Sequence, residues 1–164
     1  SALSFEKNAK IRKRDEAILR VLLATGCTVS ELTKLLKTDF DEKKQTLKIG
    51  EKEKRTLALD NDTVLALKQY LVVRTDNSPY LFFREGKRAV FDKTGNLTPR
   101  TVQRIIKKYA QLAQIGQKIT PHTLRHTFAV KQIKKGVSFE KLQKLLGYSN
   151  PLSAVIYQKL VKAK

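Results

Sequence analysis

Cysteine is nearly absent from this 164-residue sequence, in which Cys27 stands alone. One thiol excludes a disulfide framework within the chain and fits a reducing compartment of cytosolic or nuclear type. Long apolar runs are also absent: no stretch approaches the roughly 20 residues that span a bilayer, so no membrane helix is expected. The opening stretch SALSFEKNAKIRKRDEAILR carries charges where a secretory signal needs an apolar core. There is no internal repeat and no Ser/Gly-rich linker, and DNDT and TDNSP read as loops between elements. With 41% apolar residues, enough for a core, the expectation is one domain over 1–164. Ser1 in place of an initiator Met leads us to expect further domains upstream.

Acidic residues are scarce. Against 34 Lys and Arg there are 15 Asp and Glu, a formal charge of +19. Charge of this size repels itself as the chain compacts, which points to a polyanionic partner whose phosphates neutralise part of it. A lysine-rich solvated face is the alternative.

The apolar residues that are present recur with clear periods. Ile18, Leu19, Leu22 and Leu23 have helical spacing, with Gly26 as a stop. Thr28-Val29-Ser30-Glu31 has the spacing of a capping box that opens a second helix with Leu32, Leu35 and Leu36 as its stripe. QTLKI and RTLAL alternate polar and apolar residues around GEKEK, which predicts an antiparallel hairpin with Lys52 and Lys54 at its tip. A helix over 62–71, an apolar YLFF and a basic loop over 84–96 follow. Thr98-Pro99 opens a long helix with Val102, Ile105, Ile106, Tyr109 and Leu112 inside and Arg100, Arg104, Lys107 and Lys108 outside. Helices over 122–135 and 138–146 end at Gly136 and Gly147, and a last one after Pro151 carries Ile156, Tyr157 and Leu160. The fold class is mainly α with a small antiparallel β-sheet, an α+β arrangement.

The only two histidines flank an arginine in HTLRH. On a helix, His122, Arg125 and His126 share one face. Arginine forks onto two phosphate oxygens, and a neighbouring imidazole donates a hydrogen bond or moves a proton, as phosphoryl transfer requires. Zinc is poorly served: Thr123 stands where a general-base glutamate would follow the first histidine, Cys27 is remote, and Arg125 repels a cation. No metal and no other cofactor is expected. Histidines merely packing near a helix start are the plain alternative.

The box has company. TPHTLRHTFA, then LLGYSNPLSAVIY, resembles the paired signature of the tyrosine recombinase, or phage integrase, family, including its Xer-like members. There an H-x-x-R-H box precedes a Leu-Gly-His turn, with a nucleophilic tyrosine nine residues after the turn. Tyr157 follows Tyr148 by nine. RDEAILRVLLATGCTVSELTKL, DFDEKKQTLKIGEKEKRTLALD and LTPRTVQRIIKKYA are similar to the family's opening helices, its sheet with a hairpin lysine, and its DNA-facing helix.

The resemblance implies a catalytic domain of that family, normally preceded by a DNA-clamping domain that is expected to lie outside 1–164. Such proteins cut and rejoin double-stranded DNA without a metal, through a 3′-phosphotyrosyl link, and work as tetramers on paired sites in a DNA-containing compartment such as the nucleoid. Carried over, Tyr157 is the nucleophile; its phenol, with an ordinary pKa near 10, needs a cationic setting. Arg125 binds the scissile phosphate and stabilises the charge that develops on it. His122 handles a proton beside it, and His126 braces the box. The hairpin here is one residue short, so Lys52 is the first match to the general-acid lysine and Lys54 the second, or a phosphate contact. Arg100 matches a DNA-reaching position, and Arg104 and Lys107 follow by spacing.

Two positions depart from the pattern. Thr28 stands where Thr-Gly-Leu-Arg-x-Ser-Glu has its arginine, and loss of such a donor costs about 3–4 kcal/mol of transition-state stabilisation. Tyr148 replaces the turn histidine, though a phenol still donates a hydrogen bond. The expectation is therefore a slow recombinase, a catalytically inactive DNA-binding or regulatory relative, or a chain in which Arg84 or Arg88 fills the gap. A generic basic nucleic-acid-binding helical domain, the remaining alternative, predicts that His122, Arg125 and Tyr157 stay apart.

Overall fold

The computed structural model describes residues 9–51, 53–84, 95–147 and 157. Its order is α1 (Ala9–Thr25), α2 (Val29–Lys34), β1 (Phe40–Asp41), β2 (Thr46–Ile49), β3 (Arg55–Ala58), α3 (Asn61–Val72), α4 (Pro99–Leu112), α5 (Pro121–Lys134) and α6 (Phe139–Leu146). The mainly helical class with a small antiparallel sheet is as expected. Residue 157 is helical, but the rest of the helix predicted after Pro151, and 85–94 of the predicted basic loop, lie outside the described residues.

Side-chain caps explain where the helices start. Thr28, Asp60, Thr98, Thr120 and Ser138 each accept a backbone N–H of the first turn, and Pro99 and Pro121 follow two of these caps where a missing N–H costs nothing. The predicted hairpin gains a third strand. β1 pairs with β2 (Phe40 opposite Leu47) and β2 with β3 (Leu47 opposite Leu57), all antiparallel in the order β1-β2-β3. Two residues are too few to show the alternation by which a strand is recognised, so β1 left no mark in the sequence. Leu47, Ile49, Leu57 and Leu59 point into the core.

Two apolar clusters organise the helices. In the larger, Ala17, Ile18, Val21 and Leu22 of α1 pack with Val64, Leu67 and Tyr70 of α3, the sheet, and Val102, Ile105 and Ile106 of α4. In the smaller, Phe128, Ala129 and Ile133 of α5 join Leu142 and Leu146 of α6 and Tyr157. Three expected inward leucines differ. Leu23 is 40% exposed, because Ile18, Val21 and Leu22 already fill the buried stripe and Leu23 lies around the helix from it. Leu112, in the last turn of α4, is 36% exposed, and Leu36 lies beyond α2, which stops at Lys34.

Arg14 and Asp15 are a buried ion pair in α1, with Nη2 to Oδ1 at 2.6 Å. Burial pushes the Asp15 carboxyl above its ordinary value; Arg14, then the Tyr109 hydroxyl and the Lys108 charge of α4, pull it part of the way back. Removing the carboxylate leaves a guanidinium buried without its counter-charge. Asp15→Ala is therefore expected to lower stability by about 3 kcal/mol in urea unfolding, against about 0.5 kcal/mol or less for the exposed Asp62→Ala.

Candidate active site

Helix α5 begins at Pro121 under the Thr120 cap, whose Oγ1 accepts the Thr123 N–H at 3.2 Å. This places the HTLRH box in its first two turns. His122 is exposed, His126 half-buried, and Arg125 only 7% exposed. The Arg125 guanidinium is clamped by backbone: Nη1 donates to Gly26 O at 2.6 Å and Nη2 to Leu146 O at 2.8 Å. Gly26 ends α1 in the left-handed region at φ +61°, and a Cβ there would fall 2.5 Å from Phe128 Cδ1. The residue before the Thr28 segment is thus pressed against α5 just beyond the box.

Tyr157 packs against the same helix. It is 1% exposed, its ring packs in the α5–α6 cluster, and its hydroxyl lies 3.3 Å from His126 Nδ1, with ring centroids 5.4 Å apart. The structure therefore brings the candidate nucleophile to the box, one residue from Arg125. A generic basic domain gave no reason to expect that.

Thr28 caps α2 as predicted. Its Oγ1 accepts the Glu31 N–H at 3.2 Å, and Glu31 Oε2 accepts the Thr28 N–H at 2.8 Å and lies 3.2 Å from the Thr28 hydroxyl. Beside this pair stands an arginine that the sequence reading passed over. Arg55, at the start of β3, holds Glu31 in a fork, at 2.6 Å and 3.2 Å, while its Nε donates to Leu145 O at 2.7 Å. It underlies Gly147, whose φ is +66° and whose Cβ, if present, would fall 2.6 Å from Arg55 Nη1. The only signal was a lone arginine at a strand start, and its partners lie 24 and 90 residues away.

Lys54 Nζ contacts Asp39 Oδ1 at 2.7 Å, while Asp39 Oδ2 accepts the Leu36 N–H at 2.9 Å. Lys54 is thereby tied to the turn before β1. Lys52, Tyr148 and Arg88 lie outside the described residues. Arg84 is half-buried, its backbone N–H donating to Gly95 O at 2.9 Å. On α4, Arg100, Arg104 and Lys107 are exposed in one stripe opposite buried Val102, Ile105, Ile106 and Tyr109. Among the described residues no three of His, Cys, Asp and Glu gather as metal ligands. Burial pushes the Cys27 thiol up to about 11, so it stays protonated at neutral pH.

Burial raises the Glu31 carboxyl, but the hydrogen bonds from Arg55 and Thr28 outweigh it and hold the group below its ordinary value. A carboxylate lowered in the folded state stabilises above its unfolded pKa, and that contribution is lost as pH falls through the folded value. Glu31→Gln is expected to cost about 2 kcal/mol at pH 7, with the gap to the natural protein closing as the pH falls below the ordinary carboxylate range in urea unfolding across pH.

Comparison with known proteins gives this arrangement its context. The phage integrase family pattern matches residues 1–164. Tyrosine recombinase XerA of Pyrococcus furiosus is 38% identical over 155 residues, which cover 92% of this chain and 52% of the relative. The chain spans about half the length of the curated relatives it matches. The crystal structure of XerA recombinase superposes with a TM-score of 0.77 at 30% identity, covering 88% of this chain and 53% of that one. A XerH site-specific recombinase bound to its difH substrate gives 0.79 at 23% identity over 99% of this chain and 48% of that one, a likeness of fold. No described helix is long and apolar enough to cross a membrane. The chain belongs to the phage integrase family of tyrosine recombinases.

Proposed function

We propose that this chain is the DNA-binding, catalytic-type domain of a site-specific recombinase that cuts and rejoins double-stranded DNA through a 3′-phosphotyrosyl intermediate, with chemistry slowed at Thr28. The observation that carries the reading is the packing of Tyr157 against the HTLRH helix, its hydroxyl 3.3 Å from His126, the residue that follows Arg125. In this reading Tyr157 gives up its phenolic proton to a neighbouring imidazole of the box and attacks the backbone phosphate, the O–P bond to tyrosine forms, and the bond to the 5′-oxygen breaks. Arg125, its guanidinium fixed by two carbonyl groups, meets the charge that develops on the phosphate. His122, exposed at the start of α5, is the hydrogen-bonding or proton-handling group beside it. Lys52 protonates the leaving oxygen, and Tyr148 donates to the phosphate. Lys54 is the weaker choice for the acid because Asp39 holds it. The protein works on DNA as a homo- or hetero-tetramer on paired sites.

A second reading, a DNA-binding or regulatory relative that no longer cuts, is favoured by one observation. Thr28 has neither the charge nor the reach of the arginine it replaces, and its hydroxyl is spent on Glu31. The two readings separate on a nicked suicide duplex carrying the candidate site. The expected outcome is an SDS-resistant adduct absent from Tyr157→Phe and formed about 100-fold faster by Thr28→Arg. An adduct from Thr28→Arg alone favours the non-cutting reading; DNA binding with no adduct from any variant leaves only the fold.

DNA affinity has its own signature. Each phosphate contact contributes about 0.9 to the slope of log affinity against log salt. Arg100→Ala, Arg104→Ala and Lys107→Ala are each expected to lower that slope by about 0.9 in fluorescence anisotropy, whatever the sequence of the duplex. Unchanged slopes would remove α4 from the DNA interface.

A further inference from the structure

We propose that His126 is the positioning residue for Tyr157, fixing the hydroxyl that attacks the phosphate by accepting its hydrogen bond at Nδ1. This rests on the reading of Tyr157 as the nucleophile, and it replaces the expectation that His126 only braces the box.

Three observations support it. First, the Tyr157 ring is anchored on its apolar side, among Phe128, Ala129, Ile133, Leu142 and Leu146, which fixes where the phenol lies but not where its hydroxyl points. Second, at 1% exposure the hydroxyl is withdrawn from water, and a buried phenol needs a polar partner. His126 Nδ1 supplies one at 3.3 Å, with the two rings 5.4 Å apart and tilted by 31°. Third, His126 follows Arg125 directly in α5, and Arg125 is held by Gly26 and Leu146. The group that aims the nucleophile and the group that meets the phosphate are therefore adjacent residues of one helix.

The proposed hydrogen bond requires one tautomer of His126. A neutral imidazole carrying its proton on Nε2 accepts at Nδ1, so the phenol donates. Held this way, an oxygen lone pair rather than the O–H bond faces the phosphate, and the torsional freedom of the hydroxyl is lost before the reaction instead of during it.

The test uses the full chain, with Thr28→Arg as a parallel background so that a slow natural rate does not hide the effect. His126→Phe keeps ring packing and removes the acceptor; His126→Asn returns a side-chain oxygen near the place of Nδ1. Single-turnover adduct formation at saturating suicide duplex, DNA affinity, thermal melting and the 13Cζ resonance of labelled Tyr157, assigned with Tyr157→Phe, are measured on each. The expected result is at least a tenfold slower maximal rate for His126→Phe with DNA affinity and melting within error, partial recovery in His126→Asn, and a Tyr157 resonance that shifts in the first variant and returns part of the way in the second. Equal rates in the natural and His126→Phe proteins overturn the proposal, as does an equal loss in both variants or a resonance indifferent to His126. Absence of any adduct from the natural and Thr28→Arg proteins is a different failure: the nucleophile reading falls and takes the positioning role with it, even if the resonance reports the contact.

Discussion

A helix ends with carbonyl groups that nothing inside the helix can satisfy, and in this protein two arginines from distant parts of the chain take two of them. Arg55 reaches Leu145 O and Arg125 reaches Leu146 O, so successive carbonyls at the end of α6 are held from β3 and from α5. Positive charge at a helix C-terminus is favourable in itself, and hydrogen bonds from charged donors are the stronger kind. What makes this pair central is what else each arginine holds. Arg125 also grips the end of α1 at Gly26, and Arg55 grips Glu31 and through it the capping box of α2. The elements that carry the family's box, its arginine position and its hairpin all meet at one helix end.

The scarce acidic residues fit this picture. Asp15, Glu31, Asp39 and Asp76 each hold a cation within the fold: Arg14, Arg55, Lys54 and Arg74. The Arg14, Arg55 and Arg74 side chains are largely buried with their partners, whereas that of Lys54 stays half exposed. The α4 stripe of Arg100, Arg104 and Lys107 is exposed and has no ion pair among the described residues, which is the condition for meeting a polyanion. A chain of +19 therefore divides its charge between internal anchors and an outward face, and charge count alone does not tell them apart.

Local signals in the sequence were reliable where the physics is local. The Thr28 box, the Thr98-Pro99 start and the stop at Gly147 involve atoms within a turn of one another, and each appears as read. The alternation in β2 and β3 was legible because one face is buried; β1 was too short to alternate. The site's membership was legible through the family resemblance, but not the contacts that hold it. Arg125 binds backbone oxygens 99 and 21 residues away, and any residue type can supply a backbone oxygen. His126 and Tyr157 are 31 apart, so no spacing rule on one helix pairs them, and Arg55 drew no notice because its partners are remote.

The close approach at Gly147 has a consequence for how the sequence can change. A side chain at 147 displaces the Arg55 guanidinium, and a displaced Arg55 leaves Glu31 half-buried with its charge unmatched beside the α2 cap. Residues 31, 55 and 147 are thus coupled: a side chain at 147 is strained by the left-handed backbone and shifts the guanidinium that matches Glu31, so a change at one of the three is felt at the other two.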